Sequence, residues 1–237
     1  MKIKTWFFVV LSTLILSITC NIVLGVKLAK SLSETVSFDD LRVSLFELTI
    51  EYNLEKNYAT CFSTYEKGIY VTNYHSFIFC EDDIENAQIT IKDYEANVCQ
   101  VYLYGFNKDK DIALLKSDDF FSKNIIELSE SNPKTGDLCY SFANANGLGI
   151  SLYDGLISNP SIELIVDGYS QRYIQSNLPA YPGCSGGCLL DKKGFCIGMV
   201  SFRIKDKNGD PIIDFSYSIP SNTLREEINN ILGESLK

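Results

Sequence analysis

The stretch PGCSGGCLLDKKGFCI, residues 182–197, decides the fold class and carries the first chemical signal. Its second half sets two short apolar runs, Leu189-Leu190 and Phe195-Cys196-Ile197, on either side of Asp191-Lys192-Lys193-Gly194, the pattern of a β-hairpin. Its first half, Pro182-Gly183-Cys184-Ser185-Gly186-Gly187, places three glycines around one serine. That composition lets the backbone bend back so that its N–H groups converge, as an oxyanion-stabilising loop requires. Taken alone, the hexamer reads equally well as a nucleophile loop and as an ordinary glycine-rich turn.

Outward from this hairpin the chain continues as short strands. Val43 to Ile50 is apolar and β-branched, Gly68-Ile69-Tyr70-Val71-Thr72 follows a turn at Glu66-Lys67, and Gln88-Ile89-Thr90-Ile91-Lys92 alternates cleanly. Helical spacing is clear only at the end, where Leu224, Ile228, Ile231 and Leu232 recur after Pro220 and Thr223 with Glu226 could form a capping box. The expectation is an all-β domain, a barrel or sandwich closed on itself, with one terminal helix and no further module behind it.

Composition narrows the function classes. The chain has 237 residues, 21 Lys+Arg, 30 Asp+Glu, a formal net charge of −9 and 46% hydrophobic residues. It is too apolar to be disordered and too acidic to coat nucleic acid, which needs surplus cations against phosphate. The only charges in the first 30 residues are Lys2, Lys4, Lys27 and Lys30, and residues 5–26 carry none. As a helix that run would span about 33 Å, the thickness of a bilayer's hydrocarbon core. The expectation is therefore a short cytoplasmic terminus (1–4), a transmembrane signal-anchor helix (5–26), a juxtamembrane linker (27–40) and an extracytoplasmic domain (41–237). Secretion after signal cleavage is the alternative, although no small-x-small cleavage pattern follows the run.

Eight cysteines and one histidine remain to be placed. Beyond Cys20 the cysteine number is odd, no Cys-x-x-Cys pair occurs, and the single histidine excludes a His-rich metal site. Most cysteines are expected to be small apolar side chains in strands, and no metal or cofactor is expected. The histidine, His75, ends the apolar strand Val71-Thr72-Asn73-Tyr74, from which a side chain can project into a cleft. If Ser185 is activated by an imidazole, His75 is the one that does it. Upstream of the buried-strand pattern Ile112-Ala113-Leu114-Leu115-Lys116 stand Asp109 and Asp111. Asp111, next to the apolar run, is the better placed to meet the imidazole.

Taken together, Thr72-Asn73-Tyr74-His75, Asp111-Ile112-Ala113-Leu114-Leu115-Lys116 and Pro182-Gly183-Cys184-Ser185-Gly186-Gly187 resemble the three catalytic motifs of the trypsin-fold serine proteases, closest to the HtrA (DegP-like) branch. Four further segments resemble that family: Gly136-Asp137 with Ala143-Asn144, Asp154 to Ser158, Ile174 to Asn177, and Tyr217 to Pro220. The resemblance covers residues 43–232 and lacks the family's C-terminal PDZ domain.

It implies two six-stranded β-barrels with the site between them. Ser185 would be the nucleophile, His75 the general base and acid, Asp111 the orienting carboxylate, and the N–H groups of Gly183 and Ser185 the oxyanion hole, each donor worth on the order of 3 kcal/mol. Val200-Ser201-Phe202 would pair with the substrate backbone, and Ala180 and Tyr181, with no acid where trypsin holds one, would border a pocket for an apolar side chain. Viral relatives that use a cysteine nucleophile place it where Ser185 stands, so the register favours serine over Cys184.

The implied activity is a membrane-tethered serine endopeptidase acting on exposed or unfolded protein, with protein or peptide substrates, homo-oligomers being compatible with the sequence. The alternative is a catalytically silent module that binds peptides, its loop distorted by Cys184 and Cys188, which replace the usual Asn or Asp and Pro.

Overall fold

The computed structural model describes residues 16–24, 37–66, 68–119, 122–166, 168–204, 207–210, 212 and 215–234. They belong to two compact units, Met1–Val36 and Ser37–Lys237. In the first, residues 16–24 form a helix, α1. The rest of the membrane span expected at 5–26 lies outside the described residues, and among those described no helix is long and apolar enough to cross a membrane. Of the linker expected at 27–40, residues 27–36 lie outside the described residues, and its end enters the short helix α2 (Phe38–Arg42).

The second unit is mostly β, with two sheets and a C-terminal helix. Its first sheet contains β1 (Leu45–Tyr52), β2 (Glu55–Ser63), β3 (Ile69–Thr72), β4 (Gln88–Lys92), β5 (Val98–Gln100), β6 (Tyr102–Asn107) and β7 (Ile112–Lys116), all pairs being antiparallel. Their order is β5-β4-β1-β2-β3-β7-β6, a seven-stranded sheet where a six-stranded barrel was expected. The difference has a local cause. Residues 98–107 run as one segment that changes neighbour at Val101: Val98–Gln100 pairs with β4, Tyr102–Asn107 with β7, and the Val101 N–H donates to the Ile89 carbonyl at 3.0 Å. Chain continuity between β5 and β6 replaces a hydrogen-bonded ladder.

The second sheet is the expected six-stranded closed barrel, β10-β13-β12-β11-β8-β9. It is built from β8 (Leu138–Ala143), β9 (Ser151–Val166), β10 (Tyr169–Ser176), β11 (Cys188–Asp191), β12 (Cys196–Phe202) and β13 (Ser216–Pro220). The hairpin read at Asp191–Gly194 joins β11 to β12 in antiparallel register. β9 is long enough to serve two partners, pairing through Ser151–Leu156 with β8 and through Ile157–Val166 with β10. Beyond the barrel, therefore, β9 and β10 continue as a two-stranded ribbon.

Among the described residues, three larger apolar clusters and one small one hold this arrangement. One fills the first sheet around Leu48, Ile50, Phe77 and Leu115, and another fills the barrel around Ile157, Ile174, Leu189 and Ile197. The largest joins the two sheets, packing Phe62, Val71 and Leu114 against Met199, Tyr217 and Ile219. Helix α3 (Ser221–Glu234) closes that seam with Leu224, Ile228 and Ile231, the helical stripe read from sequence. It begins at Ser221, so Thr223 lies inside the first turn and cannot be the N-cap of a capping box.

All eight cysteines are free, and Cys61, Cys139, Cys188 and Cys196 are buried strand residues, as expected for small apolar side chains. Cys184 and Cys188 form no disulfide. Burial pushes the Cys184 thiol up to about 11 and the Cys188 thiol up to about 12.

Candidate active site

Three loops meet where the two sheets face each other. The first leaves β3 after Thr72 and enters a 3-10 segment, Tyr74–Asn86, whose second residue is His75. The second is the tight connection from β6 to β7, closed by the Asp111 N–H on the Lys108 carbonyl at 3.1 Å, with Asp111 itself at φ 56°. An aspartate tolerates this left-handed conformation better than a branched residue would. The third is the glycine-rich loop before β11. The 3-10 segment gave no helical signal in the sequence, because its acids and apolar residues follow no 3.6-residue period.

The His75 Nδ1 lies 2.9 Å from Asp111 Oδ2 and 3.1 Å from Oδ1, and the His75 backbone N–H donates to Oδ1 at 2.8 Å. An ionised carboxylate accepts only, so Nδ1 is the nitrogen that donates to it, and in the neutral ring this leaves Nε2 as the acceptor. That acceptor stands 2.9 Å from Ser185 Oγ. The structure thus brings the sequence-predicted His75, Asp111 and Ser185 together in one continuous hydrogen-bonded chain. Asp109, the carboxylate passed over, sits instead at the cleft rim against the Tyr169 phenol, whose pKa its hydrogen bond raises.

Two further groups hold the Asp111 carboxylate. Ser201 Oγ donates to Oδ2 at 2.7 Å, and Asn73 Nδ2 donates to Oδ2 at 3.0 Å and to the Asp111 carbonyl at 3.1 Å. Sequence reading gave Ser201 only a substrate-pairing part and gave Asn73 none. The signal for Asn73 was present: an amide side chain two residues before the only imidazole, at the end of a buried strand.

The loop that carries Ser185 owes its shape to glycine. The Cys184 N–H closes a turn on the Tyr181 carbonyl at 2.9 Å, with Gly183 at φ 91°. A Cβ on Gly183 would stand 2.2 Å from the Asn144 carbonyl oxygen, and one on Gly186 would stand 2.0 Å from the Thr60 carbonyl oxygen. The Pro182 carbonyl accepts from the Asn146 N–H at 2.6 Å. Because the two groups of a trans peptide point in opposite directions, the Gly183 N–H is turned away from Asn146. Among the described residues, neither the Gly183 nor the Ser185 N–H has a backbone acceptor. Two uncommitted donors on one tight turn are what an oxyanion site needs.

Thr60, in the buried end of β2, ties this loop down and was missed. Its N–H donates to the Ser185 carbonyl at 2.9 Å, its hydroxyl donates to the Gly183 carbonyl at 2.8 Å, and that same hydroxyl accepts from the Asn144 N–H at 2.9 Å. A polar side chain within the apolar run Ala59 to Phe62 was the available clue.

The substrate-side residues are distributed around this centre. Ala180 packs against the small cluster of Ala143, Cys184 and Val200, while Tyr181 is 42% exposed and lends the loop its backbone carbonyl. Phe202 stacks on Tyr217 and meets Tyr173 edge-on. Among the described residues no group of His, Cys, Asp or Glu side chains could hold a metal ion.

The model of the trypsin-like peptidase domain family matches residues 59–199, the span running from within β2 to within β12. The chain belongs to this family. A do-like serine protease of Buchnera aphidicola is 29% identical over 167 residues, which is 68% of this chain and 32% of that protein. The serine endoprotease DegS of Haemophilus influenzae is 25% identical over 169 residues, 70% of this chain and 48% of that protein. Among solved structures, the HtrA-type protease AlgW with a tripeptide superposes with a TM-score of 0.67 at 25% identity, covering 80% of this chain and 60% of that one. The chain therefore spans about a third to about a half of the length of these curated relatives. No statement about their remaining parts carries over to it.

Proposed function

We propose that this chain is a membrane-tethered serine endopeptidase that cleaves exposed or unfolded protein segments by acyl transfer. The observation that carries this reading is the imidazole of His75, bonded through Nδ1 to Asp111 and standing 2.9 Å from Ser185 Oγ through Nε2. In the proposed reaction Ser185 Oγ attacks the scissile carbonyl carbon and its proton passes to His75 Nε2. The carbonyl oxygen becomes an oxyanion that accepts hydrogen bonds from the Gly183 and Ser185 N–H groups. Collapse breaks the C–N bond, His75 returns the proton to the departing amine, and an acyl-Ser185 ester remains. Water, deprotonated by His75, then releases the acyl group. Asp111 stabilises the imidazolium formed in each half-reaction and does not itself take the proton.

Residues 41–237 would be the protease domain, 5–26 the anchor and 27–40 the connection between them. The 22 uncharged residues 5–26 support the tether. Action outside the cytoplasm is supported by relatives described as periplasmic, among them DegP of Salmonella typhimurium. The test is labelling of the full chain, in detergent, by a fluorophosphonate. Labelling of the native chain and its loss in Ser185→Ala are expected. A native chain that is neither labelled nor able to cut an unfolded protein would overturn the proposal.

A further inference from the structure

A cavity of about 530 Å³ lies where the start of α3, the β6–β7 connection and the β9–β10 ribbon come together. None of His75, Asp111 and Ser185 lines it. Its frame is held by hydrogen bonds between those elements. The Ser221 hydroxyl and the Arg225 guanidinium dock α3 on the Ser129 carbonyl at 2.9 and 3.1 Å. Asn107 ties the β6–β7 connection to the same helix, donating from Nδ2 to Glu227 Oε2 at 2.8 Å and accepting the Lys110 N–H at 3.1 Å.

Into this frame the chain directs donors that have no acceptor. Lys110 and Arg172 line the cavity, and among the described residues neither has a carboxylate within ion-pair distance. Glu163, opposite Arg172 in the ladder and also on the lining, is bonded instead to the Ser170 hydroxyl at 2.6 Å. Asn222 and Thr223 lie in the first turn of α3, where helix geometry leaves backbone N–H groups without an intrahelical acceptor, and no acid stands in that turn. Gln171 supplies the independent signal. It lines the cavity at 6% exposure, and among the described residues neither its amide nitrogen nor its amide oxygen has a hydrogen-bond partner. A buried carboxamide with both ends unmet is destabilising, and a ligand that accepts at Nε2 and donates at Oε1 removes that cost.

The ligand must therefore be an oxyanion that also carries a hydrogen-bond donor. Because the cavity's donors come from three elements, a planar carboxylate with two oxygens meets them less fully than a tetrahedral phosphate does. At neutral pH a phosphate keeps a P–O–H, and a phosphate ester sits beside the hydroxyls of its organic part. The volume falls in the range of small-molecule sites. We propose that this cavity binds a phosphate group, free or as a monoester, with Arg172, Lys110 and the α3 N–H groups on its oxygens and Gln171 Oε1 accepting from its hydroxyl. The site stands apart from the protease reading and does not depend on it.

The test is isothermal titration calorimetry on the full chain in detergent and phosphate-free buffer, with inorganic phosphate, glycerol 1-phosphate and sulfate as probes. At least one phosphate probe should bind saturably, and the tighter of the two identifies the source of the group. Sulfate, which has no proton to give Gln171, should bind roughly 10-fold more weakly or less. Arg172→Ala and Lys110→Ala should each weaken phosphate binding by roughly 10-fold or more, whereas Lys193→Ala, on the β11–β12 turn, should leave it unchanged. Gln171→Met, similar in volume but without the unmet groups, should bind phosphate and sulfate alike. No saturable binding of either phosphate probe, sulfate bound as tightly as phosphate by the native chain, native affinity in Arg172→Ala, or discrimination kept in Gln171→Met overturns the proposal.

Discussion

Ser201 and Asp111, 90 residues apart in the chain, are joined by a 2.7 Å hydrogen bond from the serine hydroxyl to Oδ2. The same Ser201 offers its carbonyl to the Ser185 hydroxyl at 3.0 Å, so one residue of β12 touches both ends of the His75 relay. Its side chain orients the carboxylate, and its backbone competes with His75 Nε2 for the single proton of Ser185.

Removing only the side chain separates these two parts. Ser201→Ala keeps the carbonyl and deletes one hydrogen bond to an ionised group, typically worth about 1.5–3 kcal/mol. The expected result is a fall of roughly 10- to 100-fold in kcat with KM nearly constant, measured by steady-state kinetics on a peptide substrate. An unchanged kcat would show that Asn73 and the His75 N–H suffice to hold Asp111.

Thr60→Val tests the anchoring of the nucleophile loop. The exchange preserves shape but leaves the buried Gly183 carbonyl and Asn144 N–H without their hydroxyl partner. Each orphaned buried group costs about 1–3 kcal/mol. A drop in Tm of several degrees, together with slower fluorophosphonate labelling, is expected. Thermal unfolding that matches the native chain would contradict the role.

Gly183→Ala should be the most damaging loop substitution. The methyl group would meet backbone, the Asn144 carbonyl at 2.2 Å, in a φ region that costs an L-residue energy. The turn must open, and the Gly183 N–H leaves the position where an oxyanion forms. A loss of at least about 100-fold in kcat/KM follows if that donor acts as proposed. Retained activity would exclude it from the hole.

Buried thiols give the fold an alkaline limit. Burial raises the thiols of Cys139, to about 12, and Cys184, to about 11, above the unfolded value of about 8.5. Above that value the unfolded chain has lost protons that the folded chain keeps, so stability falls as pH rises. The contribution is complete below about pH 8.5 and is lost progressively as pH climbs toward 11–12. Denaturant midpoints measured from pH 7 to 11 should decline from about pH 8.5 upward, and substitution of Cys139 by Ala should flatten part of that slope.

Much of this was legible from local chemistry. The strand at Gln88–Lys92 followed from alternation, the 191–194 hairpin from its turn residues, and α3 from its apolar stripe, because each is set by neighbours in sequence. His75 and Ser185 could be paired by elimination, there being one imidazole. Other features were not readable in this way. The segment Tyr74–Asn86 carries no period, the switch of partner at Val101 falls opposite the start of β4, and Thr60 acts on residues more than 80 positions away.

The sequence by itself determined the all-β class, the three chemically distinct side chains and the glycines without which their loop cannot turn, since these follow from residue type and local backbone freedom. Tertiary structure alone decided that Ser201 and Asn73 hold the Asp111 carboxylate, and that Cys184 and Cys188 are buried without a disulfide between them. The reason is physical: hydrogen bonds of 3 Å between loops of different sheets depend on how two packed cores meet, and no local propensity encodes that meeting.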